Sequence, residues 1–234
     1  MKNANDIVKR IEDKVRESNI ADIILRVFKA GLSKTKFGPF TNLILDFIPN
    51  KRFLRLEKFA QELAEDFNKL DEKIDVNFMT TDEFDFIFEQ CFRAASENYQ
   101  KIKLDSFRAI IINSTIDKKI NNDEREFFLN LTNSLTVLHL KILNFMFDPH
   151  KYLSDNNIPE NTVSGGFEEF FPKVFRNVDL EIIKMAFDDL YNYGLLTSDK
   201  GIFRTIMTVS GFEALIKRVS KNGERYINFI TNIN

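Results

Sequence analysis

The side chains that most often do chemistry are scarce in this chain. His139 and His150 are its two histidines, and Cys91 is its one cysteine. A protein metal site needs three or four converging ligands. The histidines are eleven residues apart, and no cysteine or carboxylate stands at ligand spacing beside them. His139 falls on an apolar helical pattern and reads as a satisfied, partly buried residue. His150 follows Pro149 and reads as solvated in a loop. Cys91 sits in the apolar run FIFEQCFRAA and reads as a small core residue; one thiol allows no disulfide within the chain, which suits a reducing cytoplasm. The carboxylate pairs Glu168–Glu169 and Asp188–Asp189 are sequence neighbours, so on a helix they point about 100° apart. That is poor geometry for an acid/base dyad. The chain has no phosphate-binding loop, dinucleotide fingerprint, nucleophile elbow or H-E-x-x-H zinc motif. The reading is a non-enzymatic protein with no cofactor and no metal.

Charge narrows the partners. With 33 Lys and Arg against 35 Asp and Glu, the net charge is −2. Nothing global draws the protein to nucleic acid or to an anionic membrane. The N-terminal residues are charged throughout and lack the apolar core of a signal peptide. No run approaches the ~18–20 apolar residues of a spanning helix. A cytoplasmic location without stable membrane insertion is therefore expected. Residues 20–48 are the apolar segment that could contradict this. Asp22, Arg26, Lys29 and Asp46 interrupt it, so short core helices are the preferred reading over a membrane-seeking hairpin or an interface.

Composition favours helices. The chain has 234 residues, 44% of them hydrophobic, with only 8 Gly and 5 Pro. That is enough apolar surface for a sizeable core with few breakers. The 25 Phe with no Trp reflect an AT-rich compositional bias. The organising stretch is 49–77. Leu56, Ala60, Leu63, Phe67, Leu70 and Ile74 form a heptad seam, with Pro49 suited to the helix start. Thr80 and Glu83 have capping-box spacing ahead of a helix from about Asp82 to Tyr99. That helix buries Phe84, Ile87, Phe88, Cys91, Phe92 and Ala95, and should fold back as a long antiparallel hairpin. Residues 103–116 form another buried helix, and Asn121–Asn122 starts the next.

From about Leu135 the pattern changes, giving domains 1–134 and 135–234. A helix stops at Asp148–Pro149, and a polar loop runs to Gly165–Gly166. A short helix ends at Pro172. Another, Asp179–Tyr193, buries Ile182, Ile183, Ala186, Phe187 and Leu190 and ends at Gly194. Residues 195–198 and 202–209, about a turn at Asp199–Gly201, read as a β-hairpin. The fold class is mainly α: a helical bundle with a long antiparallel hairpin, followed by a winged-helix-like domain.

Two resemblances rest on particular residues. Leu190–Leu196, then Asp199–Gly201, then Thr208-Val209-Ser210-Gly211 resemble the close of bacterial winged helices. Pro49–Arg52, Arg55, Leu56, Phe59, Leu63, Ser106–Ala109 and Ile112–Ser114 resemble helical proteins of the abortive-infection, Abi-alpha type, over about residues 38–215. That resemblance implies a phage-defence component. Where such proteins carry a glycine-rich apolar hairpin, this chain has residues 20–48, with only Gly31 and Gly38 among them, which weakens a membrane role.

Two functions follow. One is an interaction or regulatory protein that docks an unidentified protein partner. The other is a transcription regulator whose winged helix reads DNA. Residues 179–193 carry four carboxylates against Lys184, a net −3, which opposes phosphate binding. The protein-docking reading is preferred, and a homo-oligomer stays open. The candidate interaction residues are Glu181, Lys184, Asp188 and Tyr191 on this helix, with Lys200 and Arg204 from the expected wing.

Overall fold

The computed structural model describes residues 50–70, 73–75, 77–117, 120–204 and 215–231. The readings for 20–48 and for Thr208–Gly211 lie outside these residues. Among the described residues the fold is helical, with nine α-helices and no strand. None of these helices is long and apolar enough to cross a membrane. The described residues divide into two compact units: one ends at Ser134 and takes in residues 229–231, and the other is Leu135–Asn228.

The first unit contains α1 (Asn50–Lys69), α2 (Asp82–Glu97), α3 (Lys101–Ile116) and α4 (Asn122–Ser134). The α1–α2 pair is antiparallel. Arg55 near the start of α1 donates to the Ser96 carbonyl at the end of α2 (3.4 Å), and the Phe59 and Phe92 rings meet edge-on at 5.1 Å. Leu56, Ala60, Leu63 and Phe67 are buried, as the seam predicts, and Phe59 is buried with them. That wider stripe is typical of a bundle helix rather than a two-helix coil.

The helix stops at Lys69, short of the expected end, so Leu70 and Ile74 are only half-buried. The Asp75 carboxylate accepts the N–H groups of Asn77 and Phe78, and its own N–H donates to the Thr115 carbonyl (2.9 Å). These bonds compete with helix continuation. The cap of α2 is Thr81 rather than Thr80. Its hydroxyl accepts from Phe84 N–H (3.2 Å) and donates to the Phe78 carbonyl (2.7 Å). Glu83, freed from a capping box, pairs with Arg125 of α4 at 3.1 Å. At α4 the cap is as the sequence suggests, with Asn121 accepting from Glu124 N–H (2.9 Å).

Helix α3 packs against α1, α2 and α4 and is buried on every side from Ala109 to Thr115. Its polar side chains are therefore obliged to find partners. Ser114 and Thr115 donate to the carbonyls of Ile110 and Ile112. Asn113 donates to the Phe229 carbonyl at 2.7 Å, where the Phe229 ring also meets Phe128 at 5.7 Å. Lys103 reaches the Thr132 and Asn133 carbonyls at the C-terminus of α4, where a cation is favoured. Cys91 is fully buried in α2.

The second unit contains α5 (Val137–Phe147), α6 (Pro149–Asp155), α7 (Phe167–Val174), α8 (Leu180–Asn192) and the start of α9 (Lys221–Thr231). Helix α6 replaces part of the expected loop. Asp148 caps it by accepting Lys151 N–H (3.0 Å), and Pro149 occupies its first position, where the missing N–H costs nothing. His150 is thus in a first helical turn, with Nε2 at 3.1 Å from the Leu215 carbonyl. Helix α7 continues past Pro172 to Val174 because Phe170, Phe171, Val174 and Phe175 are all buried, and tertiary burial outweighs local propensity.

The α8 terminus matches the sequence reading. Gly194 adopts φ +70°. Leu195 N–H bonds the Leu190 carbonyl (2.9 Å) and Gly194 N–H the Tyr191 carbonyl (2.8 Å), a Schellman arrangement.

The start of the expected second strand is corrected, and residues 205–209 of it lie outside the described residues. Ile202–Arg204 belongs to a 3₁₀ segment, Lys200–Arg204, because Phe203 is drawn into an aromatic core against Phe171 (5.1 Å) and Phe187 (5.3 Å). Leu196 instead makes a single antiparallel bridge with Val219. Thr197 N–H donates to Arg218 and Ser220 N–H to Leu195. The backbones come so close that a Cβ on Gly223 would stand 2.1 Å from the Leu195 oxygen.

Two measurements test this packing. Phe171 is fully buried, so Phe171→Ala should cost about 3–5 kcal/mol through its cavity, read by urea unfolding; a loss under about 0.5 kcal/mol, usual for surface sites, contradicts the packing. Burial lowers Lys103 from its ordinary 10.5 to about 8. Between those values the unfolded chain holds a proton that the folded chain has released, so stability should rise with pH across that interval. The neutral amine still has N–H donors for both carbonyls. Denaturant midpoints at pH 7.5 and pH 10, compared with Lys103→Met, check this; the variant should lose most of the rise.

A groove and an exposed apolar stripe on helix α8

Helix α8 starts where Asp179 accepts Glu181 N–H (2.8 Å), and its last turn is fixed by Gly194. Between these ends Ile183, Ala186, Phe187 and Leu190 are buried. The opposite side of the helix is therefore committed to the surface. The 3₁₀ segment Lys200–Arg204 lies along this side, anchored by buried Ile202 and Phe203. Its entry is held by Asp199, whose carboxylate accepts Gly201 N–H at 2.7 Å.

Helix α8, the 3₁₀ segment and the start of α7 form a groove of about 570 Å³. Glu181, Lys184, Asp188, Tyr191, Lys200 and Arg204 all line it. Residues the sequence did not mark for interaction also contribute, notably Glu168, Met185 and Asn192. Glu168 carried only the pattern of a solvated acidic pair. Its place in the groove depends on where α7 packs.

The groove's charges are largely paired within it. Lys184 Nζ lies 2.5 Å from Glu168 and 3.0 Å from Glu181. Lys200 Nζ lies 2.7 Å from Asp188. The hydrogen bonds to Glu168 and then Glu181 raise the Lys184 pKa, and the bond to Asp188 raises that of Lys200. Both ammonium groups stay charged at neutral pH. Arg204 acts on Lys200 as a like charge. Exposed ion pairs of this kind fix side-chain positions more than they stabilise the fold.

Asp188 and Asp189 diverge as sequence neighbours on a helix must. Asp188 faces Lys200, whereas Asp189 lies 3.2 Å from His139 Nε2. His139 Nδ1 accepts Thr136 N–H (3.1 Å) in the capping box of α5, which assigns the ring proton to Nε2. The histidine is thus a satisfied, mostly covered side chain. Among the described residues no three His, Cys, Asp or Glu side chains gather to hold a metal.

One residue departs from the sequence reading in a consequential way. Ile182 is 50% exposed rather than core. Met185 is 63% exposed, Tyr191 41% and Tyr193 46%. Large apolar side chains thus stand in water on α8, beside the groove and partly within it. Such patches mark interaction surfaces when they are contiguous.

The exposure of this stripe is directly testable. Ile182→Ser and Met185→Ser should each leave stability within about 0.5 kcal/mol of the parent, whereas Ile183→Ser should lose several-fold more. Equal losses at 182 and 183 in thermal melts would return Ile182 to the core.

No family model, curated protein or solved structure matches this chain, so what the groove does has to be argued from its own residues.

Proposed function

We propose that this chain is a non-enzymatic interaction protein that docks another protein through the exposed side of α8. The observation that carries this reading is the coincidence, on one helix, of a groove of about 570 Å³ and exposed Ile182, Met185, Tyr191 and Tyr193. Aromatic residues and Met are enriched at protein interfaces, where they bring large contact area. The groove's lysines are engaged by carboxylates, so they present little free positive charge to a phosphate backbone.

A winged-helix arrangement of the second unit is part of this proposal. Helices α5, α7 and α8 are followed by residues 195–197, the 3₁₀ segment Lys200–Arg204, and a return at 217–220 that bridges back at Leu196 and Val219. Arg218 N–H also bonds the Met146 carbonyl at the end of α5. In that arrangement α8 takes the place of the recognition helix. Its outward carboxylates Glu181, Asp188 and Asp189 stand where a DNA reader carries Arg, Lys, Asn or Gln. Under the abortive-infection resemblance, a docking role would belong to phage defence.

Two experiments separate docking from DNA reading. Fluorescence-anisotropy titration with duplex DNA at ~50 mM salt should show no sub-micromolar binding, although low salt favours it. A photo-cross-linking side chain at Tyr191, introduced in cells of the source, should give protein adducts that the same group at exposed Glu97 does not. Tight, salt-sensitive DNA binding abolished by Lys200→Glu with Arg204→Glu would make the chain a DNA-binding regulator instead.

A further inference from the structure

We infer that the partner element on α8 is an amphipathic helix whose apolar ridge is flanked by Lys or Arg. This rests on the docking reading above and adds the chemistry of the partner. Ile182, Met185, Asp189 and Tyr193 recur at spacings of three and four, so they form one stripe along the helix. Ile182 and Met185 are its exposed apolar centre. Glu181 and Asp189 bracket that centre, with side chains 74% and 56% exposed.

Each end of the stripe keeps negative charge. Glu181 and Glu168 share the single ammonium of Lys184. Asp189 faces an imidazole whose other nitrogen is an acceptor in the α5 cap. An interface with an apolar centre and a charged rim selects its partner through the rim, because like charges across it repel.

The same charges argue against other occupants. A second copy of this chain, packed antiparallel about a two-fold axis near Met185, would set Glu181 of one copy opposite Asp189 of the other. A phosphate backbone would meet carboxylates at both ends. The separation of Glu181 and Asp189 along the helix is about 12 Å at 1.5 Å per residue. A facing helix matches it with cations seven or eight residues apart and apolar residues three or four positions in from each, the anchor pattern of helix-in-groove recognition.

Isothermal titration of the whole chain with two synthetic peptides tests the inference. Both are helical and share one Leu/Met ridge; one carries Lys pairs seven residues apart beside the ridge, and the other carries Glu there. The Lys peptide should bind about tenfold or more tightly than the Glu peptide, with the difference shrinking at high salt. Glu181→Lys with Asp189→Lys should invert the preference, and Met185→Ser should weaken both peptides, with circular dichroism confirming folded variants. Equal binding of the two peptides, or no binding of the Lys peptide by the folded parent, overturns the inference. If adducts still form at Tyr191 in that case, docking stands and only the basic partner is lost; if none form, both fall.

Discussion

The Phe171 ring is the contact on which the second unit depends. It lies 5.1–5.4 Å from the rings of Phe145, Phe167, Phe170, Phe175 and Phe203 and 6.2 Å from that of Phe187. These rings come from α5, α7, α8 and the 3₁₀ segment, so one side chain sets the relative positions of four elements. Edge-to-face and tilted pairs gain about 0.5–1.5 kcal/mol beyond area burial. The functional consequence runs through Phe203. Its burial holds the Lys200–Arg204 turn along α8, and that turn supplies one wall of the groove. Without this aromatic anchor Lys200 would not be held 2.7 Å from Asp188.

The first unit is organised by a different constraint. Helix α3 is enclosed by its neighbours, yet it carries Lys103, Asn113, Ser114 and Thr115 in the interior. Each buried polar group without a partner would cost about 1–3 kcal/mol. The solutions are specific: backbone carbonyls one turn earlier for the hydroxyls, the end of α4 for Lys103, and the Phe229 carbonyl for Asn113. Arg108, on the less covered side of α3, pairs with Glu62 of α1 and lies 2.5 Å from Asp66. That second contact is Coulombic, since the Arg108 Nε–H lacks hydrogen-bond alignment. The bundle is thereby held to one register by polar contacts as well as by apolar packing.

Charge on α8 serves placement more than stability. Neighbouring carboxylates at 188 and 189 are used on different sides, one to hold the 3₁₀ turn and one to meet the capping histidine of α5. The side chains left over, Ile182 and Met185, contribute little to the core because they are mostly in water. Their apolar surface is available for binding, where its burial is favourable.

The amino-acid sequence by itself determined the helical class, the buried faces of α1 and α2, and the Gly194 terminus of α8. These follow from local periodicity and from the conformational freedom of glycine, which act within a few residues. The residues lining the groove were legible as charges and aromatics on an outward face. That they share one concavity was decided by the packing of Phe203, a contact with Phe171 across thirty-two residues of chain. The same contact placed Ile202–Arg204, expected at the start of a strand, in a 3₁₀ segment. The early end of α1 was tertiary in part, since the bond from Asp75 N–H to the Thr115 carbonyl acts beside the local bonds of the Asp75 carboxylate. Ile182 shows the limit most clearly. Next to Ile183 it looks like core, but adjacent helical positions differ by about 100°, and only the placement of α5 and α7 decides which of the two isoleucines is covered.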